Sequence, residues 1–292
     1  MSSTPDSKAD VTARISRLFV YPVKSCAGIE LRDAVLTDTG LDLDRAWMVV
    51  DDEGEFMSQR ELPRMALIQP QLKFNDVVLR APGMLALHLS IDAVEEAVKV
   101  RCWDEEVDAF DMGNIAAQWF SDFLGRKLRL VRFDPDFQRL SSKQWTGGIE
   151  ARNQFSDGYP VLVISEASLQ AFNERMAGAG HAPVGIERFR PNIVLSGIEA
   201  HDEDRLDLLS IVADGDAPVR LKAVKPCGRC PIPNIDPKTA QVSPEVGDVL
   251  QSYRQNEMLK GAPSFGMNLI VLDGDGQSLK VGHDVTANWR FD

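Results

Sequence analysis

Apolar and polar positions along the first third of the chain change over with a short period. Residues 15–20 alternate loosely and run into the turn signal Tyr21-Pro22, and residues 46–50 form an unbroken apolar run. Asp51-Asp52-Glu53-Gly54 supplies turn chemistry before Glu55-Phe56-Met57, and short runs follow at 72–74, 77–79, 85–91, 98–103 and 107–110. Stretches of this length, bounded by turn residues, predict the strands of a barrel or compact sheet. The period then lengthens. Asn114 is placed to cap a helix whose Ala116, Trp119, Phe120, Phe123 and Leu124 share one face and which Gly125 ends.

Residues 128–131 return to strand, and 135–148 form a polar connection without a clear period, where a domain boundary is expected. In the second half, 161–164 reads as a buried strand. Ser165 caps a helix over 166–176 that stops at Gly178, and Pro244 opens another at its first position. Residues 193–195, 219–223 and 268–272 complete the predicted strands. The expected class is α+β and β-rich, with barrel-like sheets, a few flanking helices and two subdomains sharing a site.

Composition narrows the partners. The 292 residues are 44% hydrophobic and 26% charged, which excludes a disordered or collagen-like chain. A net charge of −12 argues against non-specific binding to nucleic acid or anionic membranes, so neither is expected as a partner. An anionic ligand then requires a local cluster of Lys and Arg. Residues 1–10 lack an apolar core and read as a short tail rather than a signal peptide, and no window approaches the ~18 apolar residues of a membrane span. Four cysteines are too few for a disulfide scaffold, and a reducing cytoplasm fits best.

Three motifs could carry chemistry. Cys227-Gly228-Arg229-Cys230 is a C-x-x-C flanked by Pro226, Pro231 and Pro233. It is open to three readings: two ligands of a zinc site, a thioredoxin-like pair, or packed thiols in a loop. The first lacks further ligands at suitable spacing, and the prolines oppose a helix opening here. Arg229 beside Cys230 favours a thiolate, the soft ligand that a polarisable metal uses. Tyr21-Pro22-Val23-Lys24-Ser25 presents an ammonium and a hydroxyl in a turn suited to a phosphate, although a solvated lysine is the commoner case. Arg45, between Asp44 and Ala46, pairs by default with Asp42 or Asp44. Arg188-Phe189-Arg190-Pro191-Asn192 offers a guanidinium fork and an amide before an apolar strand.

Together these motifs, with Asp44-Arg45-Ala46-Trp47, Ile164-Ser165-Glu166-Ala167-Ser168-Leu169 and Asp236-Pro237, resemble the MOSC family from about Ile15 onward. Within it they look like the amidoxime-reducing and bacterial hydroxylamine-reducing branch. The resemblance implies a MOSC N-terminal β-barrel domain over 13–135 and a MOSC domain over 136–292 that binds the molybdenum–molybdopterin cofactor. It implies Cys230 as the molybdenum ligand, with Cys227 not a ligand. It implies Lys24, Ser25, Arg45, Arg190 and Asn192 holding the pterin and its phosphate, with Asp157, Gly158, Tyr159, Gly228, Arg229 and Asn268 around the cofactor. Asp236 falls near the metal, in a structural or proton-handling role.

The implied activity is reduction of small N-hydroxylated compounds to amines or amidines. The cysteines include no plant-type cluster run, so a separate flavin or iron–sulfur protein is the expected electron donor. A sulfur carrier using Cys230, or a protein that binds and transfers the cofactor without turnover, are the alternatives. The chain departs from the family at Gly228, where Ser is frequent, and at Thr239-Ala240, where Thr-Gly is.

Overall fold

The computed structural model describes residues 9–290 apart from Val94 and Asp216, so most of the predicted N-terminal tail lies outside the described residues. The expected β-rich α+β class is what it contains. Seven strands close into a barrel. In order around it lie Val11–Val20, Ile193–Ser196, Val161–Ser165, Ser264–Asp273, Val219–Gly228, Leu206–Ile211 and Asp284–Trp289, which returns to Val11–Val20. All pairings are antiparallel except that of Val161–Ser165 with Ile193–Ser196, and that pair is spanned by helix Glu166–Gly178, as a parallel connection requires. Closure leaves no unpaired edge within the barrel itself.

Inward side chains explain why these segments pair. Val11, Ala13 and Ile15 share the barrel core with Leu18 and Val20, a phase slip of one residue. The slip falls where the pairing with Ile193–Ser196 shifts between Ile15 and Arg17, so a bulge re-aims the strand. This is the source of the loose alternation in the sequence. Gly266, at φ +84°, is required by contact: a Cβ there would lie 2.7 Å from the Val163 carbonyl oxygen.

Most of the first half builds a second unit. Trp47–Val50, Arg129–Phe133, Glu105–Asp111 and Ala97–Cys102 form one antiparallel sheet, and Gln69–Leu72, Asp76–Arg80 and Leu87–Ser90 another. Helix Gly113–Leu124 lays Ala116, Trp119, Phe120, Phe123 and Leu124 against Trp47, Val77 and Leu89. On the outside of the barrel, Phe172 and Met176 of Glu166–Gly178 and Val246 and Leu250 of helix Glu245–Tyr253 pack on Ile164, Phe189 and Phe265.

Several local expectations are corrected. Asn114 caps no helix; the helix starts at Gly113, whose N–H is taken by Asp111, while the Asn114 oxygen accepts from Arg129. Ser165 does cap its helix, accepting from the Ser168 N–H at 3.0 Å. Phe74 and Leu85 stand exposed outside the strands they were assigned to, which run Gln69–Leu72 and Leu87–Ser90. The polar connection contains a short helix, Lys143–Thr146. Cys227 and Gly228 are not in a loop but end the strand Val219–Gly228, and Pro226 is accommodated where its pairing shifts register.

Because Val11–Val20 completes the barrel, truncating its buried Leu18 is expected to cost about 2–5 kcal/mol. Urea unfolding of Leu18→Ala checks this through a lowered midpoint.

Candidate functional site

The first strand delivers Tyr21 to one end of the barrel, and the segment behind it is pinned by backbone bonds. Lys24 N–H donates to Trp47 at 2.8 Å, Trp47 N–H to Pro22 at 3.0 Å and Arg45 N–H to Tyr21 at 2.9 Å. Two short stretches, 21–26 and 44–47, therefore lie side by side and present Lys24, Ser25 and Arg45 together. Ser25, Arg45 and Arg190 hold φ of 68°, 53° and 56° without being glycine. Left-handed backbone at three neighbouring side chains is strain of about 1–3 kcal/mol each, of the kind that collects at functional sites.

Tyr21 is buried and lies between two guanidinium groups, Arg45 at 4.5 Å and Arg190 at 4.2 Å from the ring centroid. Its hydroxyl donates to the Pro191 carbonyl, and burial raises its pKa. Asp44, also buried, accepts the Tyr21 N–H with one oxygen and the Arg45 guanidinium with the other. Burial works against the charge on Arg45, but Asp44 outweighs it, so the guanidinium is held more firmly than usual. Among the described residues Arg190 has no carboxylate bonded to it. It donates to the Cys26 carbonyl at 2.7 Å, and burial together with the Arg45 charge lowers its pKa. An anion near Arg190 would relieve both costs.

Asn192 is a bracket. Its oxygen accepts from Leu162 N–H at 3.1 Å and from Arg45 at 3.3 Å, and its NH₂ donates to Phe19 at 3.2 Å. The Asp157 loop is fastened from below by Arg139, whose guanidinium donates to Asn153, Gln154 and Ser156. Lys24 donates to the Asp157 carboxylate. Crowding in the cleft pushes that carboxyl up, but Lys24, Arg45 and Arg190 outweigh it and hold it well below the usual range.

Cys230 closes the ring of residues. Its side chain is exposed, whereas Cys26 and Cys102 are buried and Cys227 is partly so. Burial pushes the Cys26 thiol up to about 12 and raises Cys227 as well, the latter offset in part by Arg229. The Arg229 guanidinium is turned onto the carbonyls of Phe265 and Phe189. Asp236, just beyond, accepts from Arg188 at 3.0 Å with one oxygen and from the N–H groups of Lys238 and Thr239 with the other. Its carboxylate thus ties the turn after Cys230 to Arg188. In that turn Ala240 takes φ +59°, a conformation that glycine adopts freely.

Eleven of the thirteen residues singled out from the sequence line one cleft of about 230 Å³. They are Lys24, Ser25, Arg45, Asp157, Tyr159, Arg190, Asn192, Gly228, Arg229, Cys230 and Asn268. Gly158 lines an adjoining groove, and Asp236 reaches the cleft through Arg188. Six basic side chains line the cleft against one carboxylate, Asp157, so an acidic protein carries the local basic cluster that an anion needs. Sequence reasoning missed Phe56, Trp103, Ser156 and Lys225 on the lining and Arg139 beneath it. None stands in a motif, and Arg139 lies in a stretch read as plain connection.

A closed mixed barrel fed by a smaller β unit, with a basic cleft and one exposed thiol at its end, defines a MOSC-type domain pair. The chain belongs to this family: residues 12–127 match the MOSC N-terminal beta barrel domain and residues 150–286 the MOSC domain. It is 34% identical over 288 residues to mitochondrial amidoxime reducing component 2 of Rattus norvegicus, covering 93% of this chain and 82% of that one. Mitochondrial amidoxime-reducing component 1 of Homo sapiens is 34% identical over 286 residues at the same coverages. Molybdenum cofactor sulfurase of Bos taurus is 30% identical over 291 residues, which span 32% of its length. No helix among the described residues is long and apolar enough to cross a membrane.

Two measurements follow from the geometry. A thiol reagent added to native protein is expected to modify one cysteine fast, and Cys230→Ser to abolish that phase. The depressed Asp157 carboxyl keeps its pair with Lys24 intact at neutral pH. Its contribution to stability is lost only as pH falls below the ordinary carboxylate value toward its own lower one. Carbon-13 NMR of Lys24→Met is expected to show Asp157 titrating nearer the ordinary range.

Proposed function

We propose that this chain is a molybdenum-cofactor reductase of N-hydroxylated compounds, and the observation that carries the reading is the pairing of exposed Cys230 with the basic cleft. The donor set fits such a group. Among the described residues no three His, Cys, Asp or Glu side chains gather to hold a metal. A metal at Cys230 must therefore bring most of its ligands on an organic carrier, and the cations suit that carrier's phosphate. The names and extent of the relatives point the same way.

In this reading Lys24, Ser25, Arg45 and Arg190 hold the phosphate, each charge-assisted bond contributing about 1.5–3 kcal/mol. Asn192 keeps Arg45 aimed, and Arg229 and Asn268 fix the strand ends that carry Cys230. Gly228, Asp157, Gly158 and Tyr159 border the pterin. Asp236 positions the turn after the thiol through Arg188. When bound, the cofactor supplies two electrons to cleave an N–O bond, so that a hydroxylamine and two protons give an amine and water. Lys24, which donates to the Asp157 carboxylate at the cleft, stands where a proton can be held during that step. The electrons come from a separate donor protein of flavin or iron–sulfur type: Cys26 and Cys102 are buried, and the remaining two thiols belong to the cleft.

Metal analysis of protein made in a cofactor-competent host tests this. Wild type is expected to hold molybdenum near one per chain and to reduce benzamidoxime under an artificial reductant. Cys230→Ser should lose turnover, and Arg190→Ala should retain the cofactor about 10- to 100-fold less tightly. Wild type free of molybdenum would sink the proposal. Molybdenum without turnover would mark a binding or transfer protein, and labile sulfur on Cys230 by mass spectrometry a sulfur carrier.

A further inference from the structure

Beside the cleft lies a second hollow of about 450 Å³ that shares Trp103, Tyr159, Lys225 and Cys230 with it. It is the open approach to the thiol. Trp103 stands at its rim under unusual conditions. Cys102 pairs with Glu105, so Trp103 and Asp104 form a two-residue hairpin loop. Trp103 occupies the first loop position at φ 61°. Two-residue hairpins with left-handed backbone there favour glycine, asparagine or aspartate, and a bulky aromatic at positive φ is an outlier. Strain of this kind persists where the side chain has a use.

The indole is also 38% exposed, one of few large apolar side chains that are. It is nevertheless held in place. The Arg60 guanidinium lies 4.6 Å from its centroid, and the Phe56 ring meets it edge-on at 5.3 Å and 74°. Phe56 in turn packs under the Lys24 ammonium, 4.8 Å away. A strained, exposed but oriented aromatic, its ring centroid 5.6 Å from the ammonium of the cleft's Lys24, has the properties of a stacking platform. A cation at its ring strengthens the stacking of a flat partner on such a platform. Tyr159 adds a second ring to the same hollow, with Lys225 5.7 Å from it.

We propose that Trp103 selects planar aromatic substrates, N-hydroxylated arenes or heterocyclic bases, by stacking their ring while the N–O group faces Cys230. The inference rests on the reductase reading for its chemistry but not for its contact. Two arms keep the failures apart. In the first, KM is measured for benzamidoxime and for acetamidoxime, which has no ring. Trp103→Ala is expected to raise KM about 5- to 100-fold for benzamidoxime only, with kcat little changed and molybdenum content kept; Trp103→Phe should restore most of the loss.

In the second, calorimetry on the holoprotein follows benzamidine, which contains no N–O bond to reduce. Trp103→Ala should weaken its binding by a similar factor. Wild type that binds benzamidine no better than Trp103→Ala overturns the proposal, as does an equal KM rise for both amidoximes or a loss of molybdenum in the variant. Ring-dependent binding in a wild type that reduces neither amidoxime overturns the reductase reading and leaves the platform standing.

Discussion

The cleft exists because one buried carboxylate makes a crowded set of cations tolerable. Arg45 and Arg190 share the faces of a single buried ring, Tyr21, and two guanidinium groups taken out of water at that spacing repel each other. Asp44 answers half of that repulsion. One oxygen fixes the Tyr21 backbone at the exit of the first strand, and the other fixes Arg45. The second cation is bonded to the Cys26 carbonyl and, among the described residues, to no carboxylate, and that deficit is what gives the cleft its appetite for an anion. A second buried acid beside Arg190 would quiet the site and remove its reason to bind.

The chemistry was easier to read from the sequence than the architecture. Lys24, Arg45 and Arg190 stand in short turn segments whose residue types are constrained by backbone as well as charge, so the motifs, each bland alone, pointed to an anion site when taken together. Barrel-like sheets were expected too, but not which strands close the barrel. Leu206–Ile211 slips register between Leu206 and Leu209, which spoils its alternation, and Asp284–Trp289 offers only two fully buried apolar residues, Val285 and Ala287, so its signal is short. Strand pairing is a relation between distant segments, and a local pattern names no partner. Arg139 shows the same blindness from the other side. A lone arginine in a polar stretch looks solvated, and only the folded loop reveals it buried, with one nitrogen spent on the Asp157 turn and another on Glu105.

The two thiols of the C-x-x-C motif illustrate how three residues separate fates. Cys227 is still in the strand, partly covered and harder to ionise; Cys230 has cleared the strand end and stands in the open. The neighbouring arginine, read from the sequence as support for Cys230, is instead clasped by two carbonyls and acts on Cys227. Adjacency in sequence was a poor guide to direction in space.

The barrel's closing pair joins Val11–Val20 to Asp284–Trp289, with Arg14 and Asp284 bonded across 270 positions of chain. The first strand therefore has no lasting partner on that side until Asp284–Trp289 has been made. Contacts this remote are slow to form, since closing so long a loop costs entropy before any packing repays it. Tyr21, Lys24, Ser25 and Arg45 hang from the end of that waiting strand. The anion cradle thus hangs from a strand whose barrel pairing is completed only by a segment 270 positions further along the chain.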